Sequence, residues 1–252
     1  MLLRVAAFFV ALSCTTTAAL AADNNSFTLL HVGKPIGRAS YTIDATKDGY
    51  RLRSHFEYRI PAPANTLNSD HGGGMPTEAQ YSSEFKIDVD GNFLSGYTQN
   101  ATTQMITAYQ PSKLRDFITV NQTQGGISGG GHDLPMPSPD FLVAPDYDPG
   151  TLQILLTTSL AHPHKDSKYS LLVPGSGFGP KSANTLIYIA IHPAPDATGT
   201  LDGKPVTLKH YQVNYLKGAA DLYTDDSGHL MEADMGPLGA TYVRVKFALV
   251  IQ

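Results

Sequence analysis

The stretch Tyr50–Ile60, YRLRSHFEYRI, decides the fold of this 252-residue chain. One set of alternate residues is mainly apolar or aromatic and comprises Tyr50, Leu52, Ser54, Phe56, Tyr58 and Ile60. The intervening residues are polar or charged: Arg51, Arg53, His55, Glu57 and Arg59. Because successive side chains of a strand point to opposite faces, the pattern predicts a strand with one face on a core and one in water.

Other segments show the same alternation of apolar and polar residues. Tyr81–Asp90 alternates as strictly, and Thr241–Val250 alternates more weakly. Leu186–Ile191 (LIYIAI) is apolar at every position, which predicts a strand that is covered on both faces. The chain therefore predicts a mainly β fold of about ten to twelve strands, arranged as a curved antiparallel sheet or open half-barrel.

Tight turns are expected between these strands. The pairs Asp48-Gly49, Asp90-Gly91 and Asp202-Gly203, and the run Asp226-Ser227-Gly228, are typical of hairpin turns, which need positive φ angles. Two longer segments, Pro61–Thr77 and Gln124–Pro149, are rich in glycine, proline or other turn residues. We interpret both as loops, which exceed ordinary hairpin lengths.

One short helix is predicted over Asp148–Ala161. Asp148 can cap it, Pro149 suits the first helical position, and His162-Pro163 ends it. The leucines that fall on one stripe of this helix are Leu152, Leu155, Leu156 and Leu160. The run Thr157-Thr158-Ser159 also suits a strand, so a strand is the alternative for this segment.

Residues 1–22 are typical of a signal peptide. Arg4 precedes a short apolar run, Val5–Leu12, and Ala19-Leu20-Ala21 matches the small-x-small pattern of a cleavage site. We expect cleavage after Ala21 or Ala22, which leaves residues 23–252 as a single antiparallel β domain. No later run reaches the roughly 20 apolar residues that span a bilayer, so the mature chain is expected not to be membrane-spanning.

The single cysteine bears on the compartment. Cys14 lies inside the predicted signal peptide, so the mature chain has no disulfide, and this favours a bacterial periplasm over a eukaryotic secretory route. Lipidation of Cys14, as in a lipoprotein, is the alternative. We therefore expect a periplasmic or secreted bacterial protein. The formal net charge of −4 comes with no basic patch, which argues against nucleic acid as a partner.

Histidines in glycine-rich or polar loops suggest one kind of chemistry. The runs Asp70-His71 and His132-Asp133 flank glycine triplets in the two predicted loops, and His162 and His164 form a further pair. If the loops met, these residues could ligate a metal in a hydrolase. Flexible polar loops explain the same residues, and no third ligand is identifiable. We expect no enzyme activity, no metal and no cofactor.

Two regions carry a resemblance to a known group of proteins. The opening Gly33-Lys34-Pro35-Ile36-Gly37 with Asp48-Gly49, and the closing Gly203-Lys204-Pro205 with His210-Tyr211, resemble bacterial periplasmic families of unknown function. The resemblance implies a curved, partly open antiparallel sheet, similar in shape to the lipoprotein-carrier half-barrels of the Gram-negative envelope. It implies no catalytic residues.

The function expected from these features is binding of a lipid or another apolar small molecule in the concave face of the sheet. Phe141, Leu152, Leu155 and Leu156 are the predicted lining residues. A helix that simply completes the core explains the same leucines. The alternative function is a structural or assembly protein of the envelope, which would bind a partner protein through exposed strand edges. A large dry cavity would favour the first function, and a filled core with a long unpaired edge would favour the second.

Overall fold

The computed structural model describes residues 25–60, 77–136, 141–161, 168–173, 185–215 and 218–250. Within these ranges the chain forms sixteen strands, one α-helix and two one-turn 3-10 helices. The strands make one open, curved sheet that does not close into a barrel. The prediction of a mainly β fold with one short helix is confirmed. No helix in these ranges has the length and apolar character needed to cross a membrane.

The elements follow in chain order. The first eight strands are β1 (Asn25–His31), β2 (Lys34–Thr46), β3 (Gly49–Ile60), β4 (Thr77–Asp88), β5 (Phe93–Asn100), β6 (Met105–Pro111), β7 (Phe117–Gln124) and β8 (Ile127–Pro135). The remaining elements are β9 (Phe141–Val143), α1 (Pro149–Ala161), β10 (Lys168–Val173), β11 (Thr185–Leu201), β12 (Lys204–Tyr215), β13 (Gly218–Thr224), β14 (Leu230–Asp234), β15 (Ala240–Arg244) and β16 (Phe247–Val250).

The sheet is built from two meanders joined at β1. From one edge the order runs from β8 back to β1, which pairs with β15, and continues from β15 back through β14 to β9 at the other edge. β16 leaves this path and pairs with β11. The expectation of a wholly antiparallel sheet is wrong at one place, because β9 and β10 pair in parallel.

Strand number and loop positions need correction. The sixteen strands of the described ranges exceed the expected ten to twelve. Thr241–Val250 is two strands, β15 and β16, separated by a tight turn in which Lys246 has a φ of +67°. The predicted loop Gln124–Pro149 contains β8 and β9. Most of the other predicted loop, residues 61–76, lies outside the described residues, and Thr77 begins β4.

The alternation in the deciding stretch has the predicted result. Leu52 and Phe56 of β3 are 0% and 2% exposed, and they lie on the concave face of the sheet. The predicted turns are also present, since Gly91, Gly203 and Gly228 all have φ between +75° and +89°. The prediction for Leu186–Ile191 is wrong on one side of the sheet, because Tyr188 is 53% exposed there.

The concave face holds the main core, and α1 lies against it. Aromatic and aliphatic side chains from the central strands pack together there, including Phe27, Leu29, Tyr41, Phe85, Phe93 and Tyr242. Register shifts interrupt β1–β2, β4–β5 and β13–β14. Such bulges increase local bending and twist, so they help the sheet to curve around the helix. We call β6–β8 (105–135) the wing, because these strands continue the sheet beyond β5.

Candidate functional site

The helix α1 begins and ends as predicted. The Asp148 carboxyl oxygen Oδ1 accepts hydrogen bonds from the backbone N–H groups of Gly150 and Thr151, at 3.0 and 3.1 Å, and so caps the helix. Thr158 donates its hydroxyl proton to the carbonyl of Ile154 one turn earlier. Thr157 and Ser159 also bond back to helix carbonyls, which is how hydroxyl side chains are accommodated in a buried helix.

The predicted apolar stripe accounts for only part of the buried surface of α1. Every residue from Thr151 to Leu156 is buried, so the helix has no water-facing side over this stretch. A glycine is required at its start, since a Cβ on Gly150 would lie 2.6 Å from Leu52 Cδ1 and 2.9 Å from Tyr41 Cβ. The helix therefore fills the concave face instead of lying across its mouth.

The four predicted lining residues all lie in this core. Phe141 is 4% exposed, and Leu152, Leu155 and Leu156 are 2%, 1% and 0% exposed. Phe141 of β9 also contacts Phe93 of β5, with ring centroids 5.4 Å apart. The structure brings these residues together around α1, and their part in ligand binding stays a prediction.

A small cavity lies beside the second half of α1. Phe141 and Leu155 line it together with Asn92, Thr158 and Ser170, and its volume is about 20 Å³. A buried water needs roughly 10–15 Å³ measured in this way, so the cavity has room for about one water molecule. Among the described residues, this cavity is too small for a lipid chain, which would enter it only if α1 moved.

Asp148 is the buried ionisable group of this region. Ser54 of β3 donates its hydroxyl proton to Asp148 Oδ1 at 2.7 Å, in addition to the two capping bonds. Burial raises the pKa of Asp148 above its ordinary value, and the hydrogen bonds from Thr151 and Ser54 oppose this only in part. The carboxyl group is therefore held by neutral donors in a place that disfavours its charge.

The contacts of Thr151 indicate which form Asp148 takes. Thr151 Oγ1 lies 2.6 Å from Asp148 Oδ2 and 3.1 Å from the carbonyl oxygen of Val143. A hydroxyl group carries one proton, and a carbonyl oxygen cannot donate. Each contact is a full hydrogen bond if a protonated Asp148 donates to Thr151 and Thr151 donates to Val143, whereas an ionised Asp148 would have to share the one hydroxyl proton with Val143. The geometry thus fits a neutral carboxylic acid.

Gln153 fastens α1 to both halves of the sheet. Its Oε1 accepts hydrogen bonds from the Tyr41 hydroxyl of β2, at 3.0 Å, and from the Leu230 N–H of β14, at 2.7 Å. Its Nε2 donates to the Gly228 carbonyl at 2.8 Å and to Thr157 Oγ1 at 3.1 Å. Sequence reasoning overlooked Gln153, although a lone long polar side chain among the leucines of TLQILL was the available signal.

A row of polar side chains crosses the concave face on directly paired residues. Its members are Tyr41, Ser54, Ser83, Thr98, Thr107 and Gln122. The Ser83 hydroxyl is buried and has no hydrogen-bond partner among the described residues. Burial also raises the pKa of the nearby Tyr109 hydroxyl. The wall of the concave face is thus polar along one line, where a ligand's polar group could pair.

The opposite face carries a histidine and an acidic cluster on β12–β14. His210 Nε2 lies 2.8 Å from Asp221 Oδ1, and its ring stacks on Tyr223 with centroids 4.6 Å apart. Burial, with a smaller contribution from Asp234, raises the pKa of Glu232 to about 7. Glu232 therefore changes protonation near neutral pH. Tyr223 of β13 pairs directly with both Glu232 and His210 and so lies between them.

Only some of the residues proposed as metal ligands lie in the described ranges. His132 is exposed on β8, and the Asp133 beside it accepts a hydrogen bond from Thr119 at 2.7 Å. His71, His162 and His164 lie outside the described residues. In the described ranges no three His, Cys, Asp or Glu side chains are grouped so as to hold a metal ion. The hydrolase hypothesis stays a prediction.

The edge strand β8 differs from every strand of the core. All of its residues are exposed except Leu134, which is partly buried. On its outer side no strand of the described part of the chain pairs with it. Met136 N–H donates to the Asp116 carbonyl of the wing, so the alternation of an antiparallel ladder directs the backbone groups of Asp133 and Gly131 outward.

Comparisons with models of known protein families, with curated proteins and with solved structures find no match for this chain.

Proposed function

We propose that this chain is a structural or assembly protein of the cell envelope that binds an extended partner segment along the free edge of β8. The observation that carries the proposal is the contrast between a filled concave face, with about 20 Å³ left beside α1, and a nine-residue exposed edge. Strand addition at such an edge gains affinity from backbone hydrogen bonds. The envelope location rests on the signal-peptide pattern of residues 1–22.

The composition of β8 suits this role. Proteins commonly protect an edge strand with lysine, proline or a bulge. β8 has no lysine, and its one proline, Pro135, stands at the end. Gly130 has a φ of +90° and interrupts the regular strand. The pairing surface is therefore the stretch Gly131–Leu134, which follows this interruption.

A matched pair of variants tests the proposal. Asp133→Pro removes an outward N–H group without touching the inward bonds to β7, and Asp133→Ala keeps that group. Both lose the bond from Thr119. With a photo-crosslinking side chain at Ile127 in the native cells, we expect a discrete adduct in the parent and in Asp133→Ala that disappears in Asp133→Pro. The same adduct in all three proteins would refute strand addition.

A second function is favoured by the apolar side chains of α1 that pack into the core of the concave face. A lipid or other apolar molecule would enter where Phe141, Leu152, Leu155 and Leu156 meet, after α1 has shifted away from the sheet. The row of buried hydroxyl groups that includes Ser83 would receive its polar end. Native mass spectrometry of the purified protein, with a denatured control, distinguishes this function: a bound mass that is released as a lipid supports it, and a bare chain contradicts it.

A further inference from the structure

A solvent-open depression lies on the convex face of the sheet, opposite α1. It spans β2–β5 and has a volume of about 320 Å³, within the range of small-molecule sites. Its floor consists of three short hydroxyl side chains, Ser40, Thr42 and Ser82. It is separate from both the β8 edge and the concave face, so it does not depend on the proposed function.

The depression lies between two rows of directly paired residues. One row runs Ser40–His55–Ser82, and the other runs Thr42–Arg53–Glu84–Tyr97. Arg53 Nη1 bonds to Asp44 at 2.7 Å, and Glu84 Oε1 lies 3.7 Å from Arg51 Nε. Asp44 and Arg51 belong to the next row, so these long side chains lean away from His55. This leaning opens the space above the serines.

Charge in the depression is balanced. Arg53 Nε lies 3.2 Å from Glu84 Oε2, and Arg53 is also paired with Asp44. Neither the guanidinium nor the carboxylate is left as an uncompensated charge for an anion or a cation. His55 Nδ1 and Ser82 Oγ are 3.1 Å apart. An imidazole and a hydroxyl group can each donate or accept a hydrogen bond, so both can bond to a ligand hydroxyl group. These observations favour an uncharged ligand that is rich in hydroxyl groups.

The remaining wall is aromatic. Tyr97 is 41% exposed at the end of the second row, where it stands beside Glu84. An exposed aromatic ring offers a flat apolar surface with a polar tip. A sugar ring has the matching chemistry, since its C–H groups pack on an aromatic ring while its hydroxyl groups bond to side chains at the rim. We propose that this depression is a binding site for a neutral saccharide.

The test is a titration of the isotopically labelled full chain, followed by the NMR shifts of its backbone amides. The probes are maltotriose and the trisaccharide of N-acetylglucosamine. We expect saturable shifts at residues 40–42, 82–84 and 97 with at least one probe, with a dissociation constant of about 1 mM. The shifts should be lost in Tyr97→Ala and retained in Tyr97→Phe.

Two further variants keep the interpretation specific. Tyr188→Ala removes another exposed tyrosine, which lies on β11, and should leave the titration unchanged. Ser82→Val fills the floor of the depression with a residue that favours strands and should abolish the shifts. The proposal is overturned if neither trisaccharide shifts these amides, or if Tyr97→Ala responds as the parent does.

Discussion

The central strands and the wing share one backbone ladder, yet they differ in what covers it. β3 pairs with β4 over its whole length and with β2 from Gly49 to Tyr58, and its inward side chains from Leu52 to Tyr58 are buried. β8 also pairs with β7 along most of its length, with one register shift, but almost all of its side chains are exposed. The difference teaches that hydrogen bonding arranges the strands, whereas side-chain burial decides where the stability lies.

Residue type explains the difference. β3 presents Leu52 and Phe56 to the core, and their burial contributes roughly 1.5–3 kcal/mol each. β8 presents Gly129, Gly130 and Gly131, which have no side chain to bury and lose the most backbone freedom on folding. Opening of β8 therefore exposes little apolar surface that was buried in the fold.

The largest effect is expected from cavity formation at the centre. Leu156→Ala removes a fully buried side chain of α1 and should lower the free energy of unfolding by about 2–5 kcal/mol. The matched variant Ile127→Ala removes a side chain that is 77% exposed and should change it by less than about 0.5 kcal/mol. Urea unfolding of the two variants measures both values. Equal losses would contradict the comparison.

A smaller effect is expected from the polar fastening of α1. Gln153→Met keeps the shape of the side chain but leaves the Leu230 N–H and the Gly228 carbonyl without this partner, which should cost about 1–3 kcal/mol. In the wing, Gln124→Met removes an exposed hydrogen bond to the Thr103 carbonyl and should cost less than about 0.5 kcal/mol. Hydrogen exchange at Leu230 should quicken in Gln153→Met alone, and unchanged exchange there would show that Gln153 does not fasten this turn.

Asp148→Asn is expected to change the free energy of unfolding least. The difference from the parent is smallest at acid pH and grows as pH rises. The asparagine amide can donate to Thr151 as the neutral acid does, so at low pH the variant should lie within about 0.5 kcal/mol of the parent. The folded-state pKa of Asp148 is raised, so its stabilising contribution is present below the unfolded-state pKa and lost as pH rises through the folded-state pKa. Urea unfolding, measured as pH rises from below the unfolded-state pKa of Asp148 to above its folded-state pKa, should show the parent losing stability relative to the variant.

Asp116, between β6 and β7 of the wing, is expected to make stability depend on pH in the opposite direction. The Ser112 hydroxyl lowers the pKa of Asp116, which is fully exposed. Its stabilising contribution is therefore present above the unfolded-state pKa and lost as pH falls through the folded-state pKa. Asp116→Asn should therefore remove a small loss of stability that the parent shows as pH falls through the folded-state pKa of Asp116. If Asp148→Asn also acted only on the acid side, Asp148 would be ionised in the fold.

Local pattern predicted the features that depend on local physics. The alternation of Tyr50–Ile60 predicted β3, the pair Asp202-Gly203 predicted a turn, and Asp148 with Pro149 predicted the start of α1. These succeed because side-chain direction, positive φ and capping are properties of a few neighbouring residues.

Features that depend on distant neighbours were missed. β8 was interpreted as a loop because its glycines carry no alternation, and only pairing with β7 makes it a strand. The parallel pairing of β9 with β10 left no local signal. The role of Gln153 depends on Tyr41 and Leu230, which come from opposite halves of the sheet. Such contacts are set by topology, which a pattern of neighbouring residues does not specify.

The position of β1 in the middle of the sheet has a consequence for folding kinetics. β1 pairs with β2, its neighbour in sequence, and with β15, near the other end of the chain. Closing so long a loop is entropically costly, and contacts of this sequence separation slow folding. We expect the first meander to form early and its β1 edge to stay unpaired until β15 has been synthesised. The edge of β1, at the centre of the finished sheet, is therefore exposed while β2–β14 are being made.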